Sequence, residues 1–258
     1  MNTPRALQKV TPEQALRALW LPGFGLLLQF ADTLAYWLSS CILPTDTAMN
    51  ANKENNAVEL RMRLKALRAA QAPVDCNRGG LLIRGRLYTW LATNVTRLRE
   101  EDRPVPRHIA AFWSMADEPQ LQPLLRQWVE EDGYQVSLPV VSKVDAPLEF
   151  RNWTPEAPMS EGPYGIHEPA GEAATTPPDV VLVPTLGYTR EGDRIGYGKG
   201  YYDRTLAALK EAGHPFVSIG IAWATGDLTG QGHQPAPHDV RLDGILTDKG
   251  WAVPAPVL

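Results

Sequence analysis

From residue 57 onward, the apolar positions recur with the periods of helices and strands. Leu60, Leu64 and Leu67 fall at helical spacing, with Arg61, Arg63, Lys65 and Arg68 around the other faces. A second helix carries Ile83, Leu87, Trp90 and Leu91 along one side, and residues 108–113 (HIAAFW) have the short apolar run of a buried strand. Leu121, Leu124, Leu125, Trp128 and Val129 make a stripe at i, i+3, i+4, i+7 and i+8, which predicts a third helix stopped by Gly133. Further strands are predicted over 134–141, 148–153, 180–183, 216–223 and 244–247. Residues 154–178 hold six prolines and three glycines, a composition that predicts a long irregular loop of functional or disordered character.

Strands alternating with helices predict a mostly parallel sheet covered on both faces. The expected organisation is one layered α/β domain over residues 57–250, with a short tail over 251–258. Residues 1–56 follow no such pattern. Leu19 to Leu43 is largely apolar, but Pro22, Gly23, Gly25, Gln29 and Asp32 interrupt it, leaving no run of ~18 apolar residues to cross a membrane. Arg5, Lys9 and Arg17 precede that segment, yet it starts late for a signal peptide and Glu13 intervenes. An accessory helix on the main domain or a disordered extension is expected, without stable membrane association. Met49 opens a polar stretch, Asn50 to Asn56, and is a second expected starting point for the chain.

Composition narrows the function classes. A net charge of −4 argues against a nucleic-acid coat or a basic membrane anchor, while leaving room for a local basic site. The two cysteines, Cys41 and Cys76, form no CxxC pair, so a reducing, cytoplasmic compartment is expected. His108, His167, His214, His233 and His238 show no HxxxH or HxxEH spacing, which argues against a histidine-built metal site.

The segment from Gly192 to Arg204 carries the chemistry. It follows the strand ending at Pro184 and leads into a helix with Leu206 and Leu209 inward, Lys210 in its last turn and Gly213 as its stop. Gly196, Gly198 and Gly200 alternate, so a ligand can approach the backbone with no Cβ in the way. The helix start behind them offers unpaired N–H groups and a positive dipole end to a phosphate. Lys199 adds a flexible point charge and Arg194 a planar fork. The spacing is neither GxxxxGK[ST] nor GxGxxG, and a glycine-rich loop alone is also compatible with a tight strand-to-helix turn.

Arg194-Ile195-Gly196-Tyr197-Gly198-Lys199-Gly200-Tyr201-Tyr202-Asp203-Arg204 resembles the signature of the 5-formyltetrahydrofolate cyclo-ligase family, close to RLGxGxGYYDR. The resemblance continues, in order, through residues 112–118 (FWSMADE), 136–141 (VSLPVV), 165–169 (GIHEP), 180–184 (VVLVP) and 238–243 (HDVRLD). It covers about residues 57–250 and leaves the extension outside. The fold it implies is a three-layer α/β/α, Rossmann-like arrangement with a mostly parallel sheet, of the kind that sugar-phosphate isomerases and CoA transferases also use.

The resemblance implies conversion of 5-formyltetrahydrofolate to 5,10-methenyltetrahydrofolate with ATP and Mg2+, by a monomer or weak dimer. ATP then falls to Arg61 and to the loop Arg194, Ile195, Gly196, Tyr197, Gly198, Lys199, Gly200, Tyr201 and Tyr202, with Lys199, Arg194 and Tyr201 as the catalytic residues. Folate falls to Trp113 and Glu118 together with Tyr197, Gly198, Lys199, Gly200 and Tyr201. Asp203 and Asp239 match the magnesium ligands; on their residue types alone they are equally a helix-start acid and a loop cap. The first family helix opens K-x-x-L-R, whereas Ala57 stands at the lysine position here; either Lys53 or Lys65 substitutes, or the alignment is slipped by one turn. Two alternatives stay open: a non-catalytic folate- or nucleotide-binding paralogue, and a sugar-phosphate or CoA enzyme of similar fold.

Overall fold

The strand Val180–Pro184 is apolar at every position because both of its faces are covered. It occupies the centre of a seven-stranded sheet in a computed structural model that describes residues 46–258 except Thr175, with side chains from residue 56 onward. Expectations for residues 1–45, the apolar segment included, lie outside the described residues.

In chain order the elements are α1 (Asp46–Ala69), α2 (Pro73–Glu100), β1 (His108–Ala110), α3 (Gln122–Glu130), β2 (Gln135–Val140) and β3 (Glu149–Trp153). There follow β4 (Met159–Glu161), β5 (His167–Pro169), β6 (Val180–Pro184), β7 (Gly187–Tyr188) and β8 (Arg194–Ile195). The chain ends with α4 (Tyr201–Glu211), β9 (Val217–Ala222), β10 (Gly244–Thr247) and β11 (Gly250–Val253). The sheet order is β11-β10-β9-β6-β1-β2-β3. The five inner strands run parallel, and β3 and β11 close the two edges antiparallel.

Strand alternation divides the core in two. Ile109, Val180, Leu182, Ile219, Ile221 and Leu246 point to the face covered by α2 and α3, through Ile83, Leu87, Leu91, Leu125 and Trp128. Ala110, Val181, Val183, Ala222 and Ile245 point to the other face, where α4 contributes Leu206. The expected α/β class with a mostly parallel sheet is what the chain adopts.

Three local expectations require correction. On α1, Leu64 is buried, but Leu67 is 45% exposed and Arg68 only 4% exposed. The inward stripe of that helix therefore includes an arginine, which finds polar partners inside. The proline-rich stretch 154–178 is not wholly irregular: β4 and β5 pair as an antiparallel hairpin, Met159 opposite Pro169, turned at Gly165 with φ +70°. Its prolines sit at strand ends and in the turn, where no ladder donor is lost. The C-terminal residues are not a loose tail, because β11 pairs with β10 and the Trp90 indole donates to the Pro256 carbonyl at 2.8 Å.

At the opposite end of the sheet from the strands' carboxyl ends, His108 is buried between Thr176 and Ser137. The Thr176 carbonyl, 2.8 Å from Nδ1, can only accept, so Nδ1 carries the proton and Nε2 accepts from the Ser137 hydroxyl at 2.7 Å. Burial holds its pKa below 6.5, against opposing hydrogen bonds from the 176–177 backbone. The fold thus favours the neutral ring: its stability is intact above the unfolded value near 6.5 and declines as pH falls toward the lower folded value. Melting curves should show Tm dropping between about pH 7 and pH 5, and His108→Gln should flatten that drop while lowering Tm at pH 7.5. An identical pH slope in the variant would remove His108 as the cause.

Candidate functional site

A cavity of about 450 Å³ opens at the carboxyl ends of β1, β2 and β6, where parallel α/β sheets bind their ligands. Phe112, Trp113 and Met115 enter it from the segment after β1, Pro139 and Val141 from the end of β2, and Pro184 from the end of β6. The glycine loop between β8 and α4 forms another wall, and α1 contributes Arg61 and Lys65. All fourteen positions singled out in the sequence line it: Arg61, Trp113, Glu118, the run Arg194 to Asp203, and Asp239. A second groove, of about 730 Å³, lies along α2 beside Trp251 and Pro256. It is mostly apolar, and its charged residue, Arg86, is turned to the carbonyls of Thr247 and Asp248.

The loop has its shape because arginines lie directly against its glycines. A Cβ on Gly196 would stand 2.6 Å from Arg194 Nη1, and one on Gly198 would stand 3.2 Å from Arg61 Cζ. Gly198 and Gly200 also have φ of +90° and +64°, the left-handed region that other residues avoid. Arg61 Nε donates to the Gly196 carbonyl at 3.1 Å, fixing α1 on the loop. Gly200 caps α4, so the first N–H groups of that helix face the cavity.

Arg194 and Asp203 form a buried ion pair, Nη2 to Oδ2 2.9 Å. The Arg194 Nε and the Tyr202 hydroxyl are both buried without a hydrogen-bond partner among the described residues. Two unsatisfied donors beside an open cavity are what a ligand oxygen would complete. The other Asp203 oxygen accepts from the Val240 N–H at 3.3 Å. Asp239 caps its own turn through the Ala236 N–H at 2.7 Å, and its Oδ1 stands 3.8 Å from His238 Nε2. Among the described residues no cluster of three or more His, Cys, Asp or Glu could hold a metal by itself. Two hard carboxylates on one cavity fit magnesium, which takes its remaining ligands from water and phosphate.

Lys199 is exposed, with its ammonium 5.8 Å from the centre of the Tyr164 ring. Tyr164, from the turn of the β4–β5 hairpin, shares a 3.0 Å hydrogen bond with the Tyr201 hydroxyl. Trp113 packs edge-on to Trp153 with ring centres 6.3 Å apart.

Glu118 is 4% exposed, yet it reaches the cavity. Its Oε1 accepts a short hydrogen bond from the Tyr197 hydroxyl, and its Oε2 accepts from the Met115 N–H at 2.9 Å. Arg68 donates to Tyr197 Oη and to the Thr185 carbonyl, and its guanidinium stands 3.7 Å from Glu118 Oε1. Burial pushes the Glu118 carboxyl above the usual carboxylate range, while the Tyr197 and Met115 hydrogen bonds and the Arg68 charge pull it back.

Arg68, Tyr164 and Glu168 escaped the sequence reading as site residues, whereas Lys65, named there as a substitute for the family's lysine, lines the cavity. Arg68 and Lys65 follow Arg61 at i+7 and i+4, a spacing that sets all three on one helix face. Glu168 lies in the GIHEP element and accepts from the Val141 N–H at 3.1 Å. Tyr164 carried no signal beyond its neighbourhood.

Comparison with known proteins agrees with this geometry. An enzyme from Escherichia coli named 5-formyltetrahydrofolate cyclo-ligase is 36% identical over 156 residues, 58% of this chain and 75% of that one. A protein of the same name from Haemophilus influenzae is 29% identical over 147 residues, 54% and 75% of the respective chains. The solution structure of Aquifex aeolicus 5,10-methenyltetrahydrofolate synthetase shares the fold, with a TM-score of 0.60 at 24% identity over 76% of this chain and 91% of that one. The family profile described as the 5-formyltetrahydrofolate cyclo-ligase family matches residues 53–248, and the chain belongs to that family of ligases.

Proposed function

We propose that this chain converts 5-formyltetrahydrofolate to 5,10-methenyltetrahydrofolate, consuming ATP with Mg2+ and releasing ADP and phosphate. The observation that carries the reading is the shared cavity: the glycine loop with Lys199 and Arg194 forms one wall, and Trp113 and Glu118 another. An apolar, aromatic wall with one buried carboxylate suits a flat heterocycle bearing N–H donors. A glycine loop opening a helix suits a polyphosphate. The described residues include no helix long and apolar enough to cross a membrane.

An N-formyl amide is a poor electrophile, and its oxygen leaves badly as hydroxide. Transfer of the γ-phosphoryl group from ATP to the formyl oxygen breaks the bond to ADP and makes that oxygen a good leaving group. N10 then attacks the formyl carbon and loses its proton, the C–O bond breaks, and phosphate departs as the ring closes. Such a sequence needs alignment and charge neutralisation rather than a protein nucleophile. In this reading Lys199, Arg61 and Arg194 take the phosphate charge, the loop N–H groups hold the transferring oxygens, and Glu118 with Trp113 sets the ring. Magnesium held by Asp203 and Asp239 would supply further neutralisation at the phosphates.

The direct test follows methenyltetrahydrofolate formation spectrophotometrically. Product should appear only when ATP and Mg2+ are both present. Product without ATP would refute the phosphorylation route, and tight binding of both ligands without product would identify a non-catalytic paralogue, the reading that Ala57 keeps open. Lys199→Ala should lower kcat/KM by ~10²-fold or more, through loss of a charge on the transferring group. Unchanged kinetics in that variant would take Lys199 out of the site.

A further inference from the structure

Tyr197 occupies the variable position between two loop glycines, yet its side chain turns away from the loop's own backbone. Its hydroxyl donates to Glu118 and accepts from Arg68, so it stands midway between a carboxylate after β1 and a guanidinium on α1. Arg68 is itself pinned, since its second nitrogen donates to the Thr185 carbonyl after β6 at 3.2 Å. The turn that carries Glu118 is equally fixed. Gln120 donates to the carbonyls of Met115 and Glu118 at 2.7 and 3.0 Å, and the Trp223 indole donates to the Asp117 carbonyl at 2.8 Å. Each member of the chain Arg68, Tyr197, Glu118 is therefore held from outside as well as by its neighbours.

We propose that Arg68 and Tyr197 are positioning residues for Glu118: the Tyr197 hydroxyl, held by Arg68, fixes the carboxylate that meets the N–H edge of the folate ring. This rests on the reading of Glu118 as the folate carboxylate. Of the two roles expected for Tyr197, at the nucleotide and at the folate, it assigns the side chain to the folate and leaves the backbone in the phosphate loop. A buried carboxylate with one oxygen bonded to a phenol and the other to a backbone N–H keeps a lone pair on each oxygen for a ligand, in an orientation that those two bonds fix. The order of donors also matters. The Arg68 charge polarises the phenol, which strengthens its hydrogen bond to Glu118 and favours the ionised carboxylate that accepts from a ring amine.

The groups facing Glu118 define the expected pH behaviour. Arg68 from α1 and the Tyr197 hydroxyl from the loop favour its charged form, whereas Asp117 on its own turn opposes it; Tyr202 from α4 is the remaining titratable neighbour. Removing either favourable partner should raise the pH at which folate binding is gained.

The experiment is steady-state kinetics on the full-length protein, varying folate and ATP separately from pH 5.5 to 8.5, for the wild type, Tyr197→Phe, Arg68→Lys and the double variant. Wild-type turnover must be seen first; its absence would sink the proposed function itself and not this inference. With an active wild type, Tyr197→Phe should raise KM for 5-formyltetrahydrofolate roughly tenfold or more, as expected for losing a hydrogen bond to a charged group. KM for ATP should stay within about twofold, and the acid limb of kcat/KM for folate should move to higher pH. Arg68→Lys, which keeps charge but loses the fork, should act in the same direction, and the double variant should fall short of the product of the two single effects. A rise in KM for ATP with folate unaffected would overturn the proposal, as would an unmoved acid limb. Thermal melts of each variant separate these effects from loss of fold.

Discussion

Arg194 leaves β8 at one end of the glycine loop, Asp203 sits in the first turn of α4 at the other, and their ion pair closes the loop on itself at 2.9 Å. Both side chains are largely withdrawn from water, so removing one would strand the other at a cost of about 3–5 kcal/mol. The pair exists only because Gly196 lacks a Cβ, which would stand 2.6 Å from the guanidinium. A loop tied at both ends cannot extend, so its N–H groups keep their orientation before any ligand arrives. The same pair fastens the next wall of the cavity: the second Asp203 oxygen takes the Val240 N–H, and Arg241 Nε bonds Asp193 at 2.6 Å. Asp239, two residues from Arg241, is thereby held beside the loop.

Such a site spends its construction on geometry before chemistry. Cations from three elements converge on one loop: Arg61 and Lys65 from α1, Arg194 from β8, and Lys199 from the loop itself. Arg194 is buried and Arg61 half-buried, so their charges act through a lower effective dielectric than those of the exposed Lys65 and Lys199, and Arg194 is already held by Asp203. The hairpin β4–β5 adds a wall that touches the loop through Tyr164 and Tyr201. Apolar surface from Trp113, Pro139 and Ile166 lies opposite. The lining thus combines cations with aromatic and apolar side chains, the mixture that the proposed meeting of a polyphosphate and a heterocycle calls for.

Much of this was legible in the sequence because period and composition report burial. Val180 to Val183 are apolar without alternation, which only a strand covered on both faces needs, and they form the central strand. The glycine loop was legible because alternating Gly196, Gly198 and Gly200 permit close approach and the whole string Arg194 to Arg204 resembles the family signature. What escaped has equally physical reasons. Arg68 looked like a surface residue because charge normally marks the solvent face; its burial rests on partners distant in sequence, Thr185, Tyr197 and Glu118. The hairpin β4–β5 is three residues per strand, too short for a period to appear amid prolines. β11 pairs across a turn beginning at Thr247, so its strand character comes from β10 rather than from its own composition.

The substitution at Ala57 gains meaning from the same helix. Ala57, Arg61, Lys65 and Arg68 follow one another at one-turn spacing along α1, so the family's first-helix lysine would stand one turn before Arg61. Arg61 and Lys65 line the cavity and Arg68 lies buried behind it, whereas Ala57 is not among the lining residues. The basic stripe therefore enters the site at Arg61 and continues inward, away from Ala57. A cation at position 57 would stand one turn before Arg61, outside the cavity lining. Arg61 is tied to the Gly196 carbonyl and acts across a short, partly shielded distance. Within the proposed function, the departure at Ala57 removes one cation from this stripe and leaves Arg61, Lys65, Arg194 and Lys199 lining the cavity.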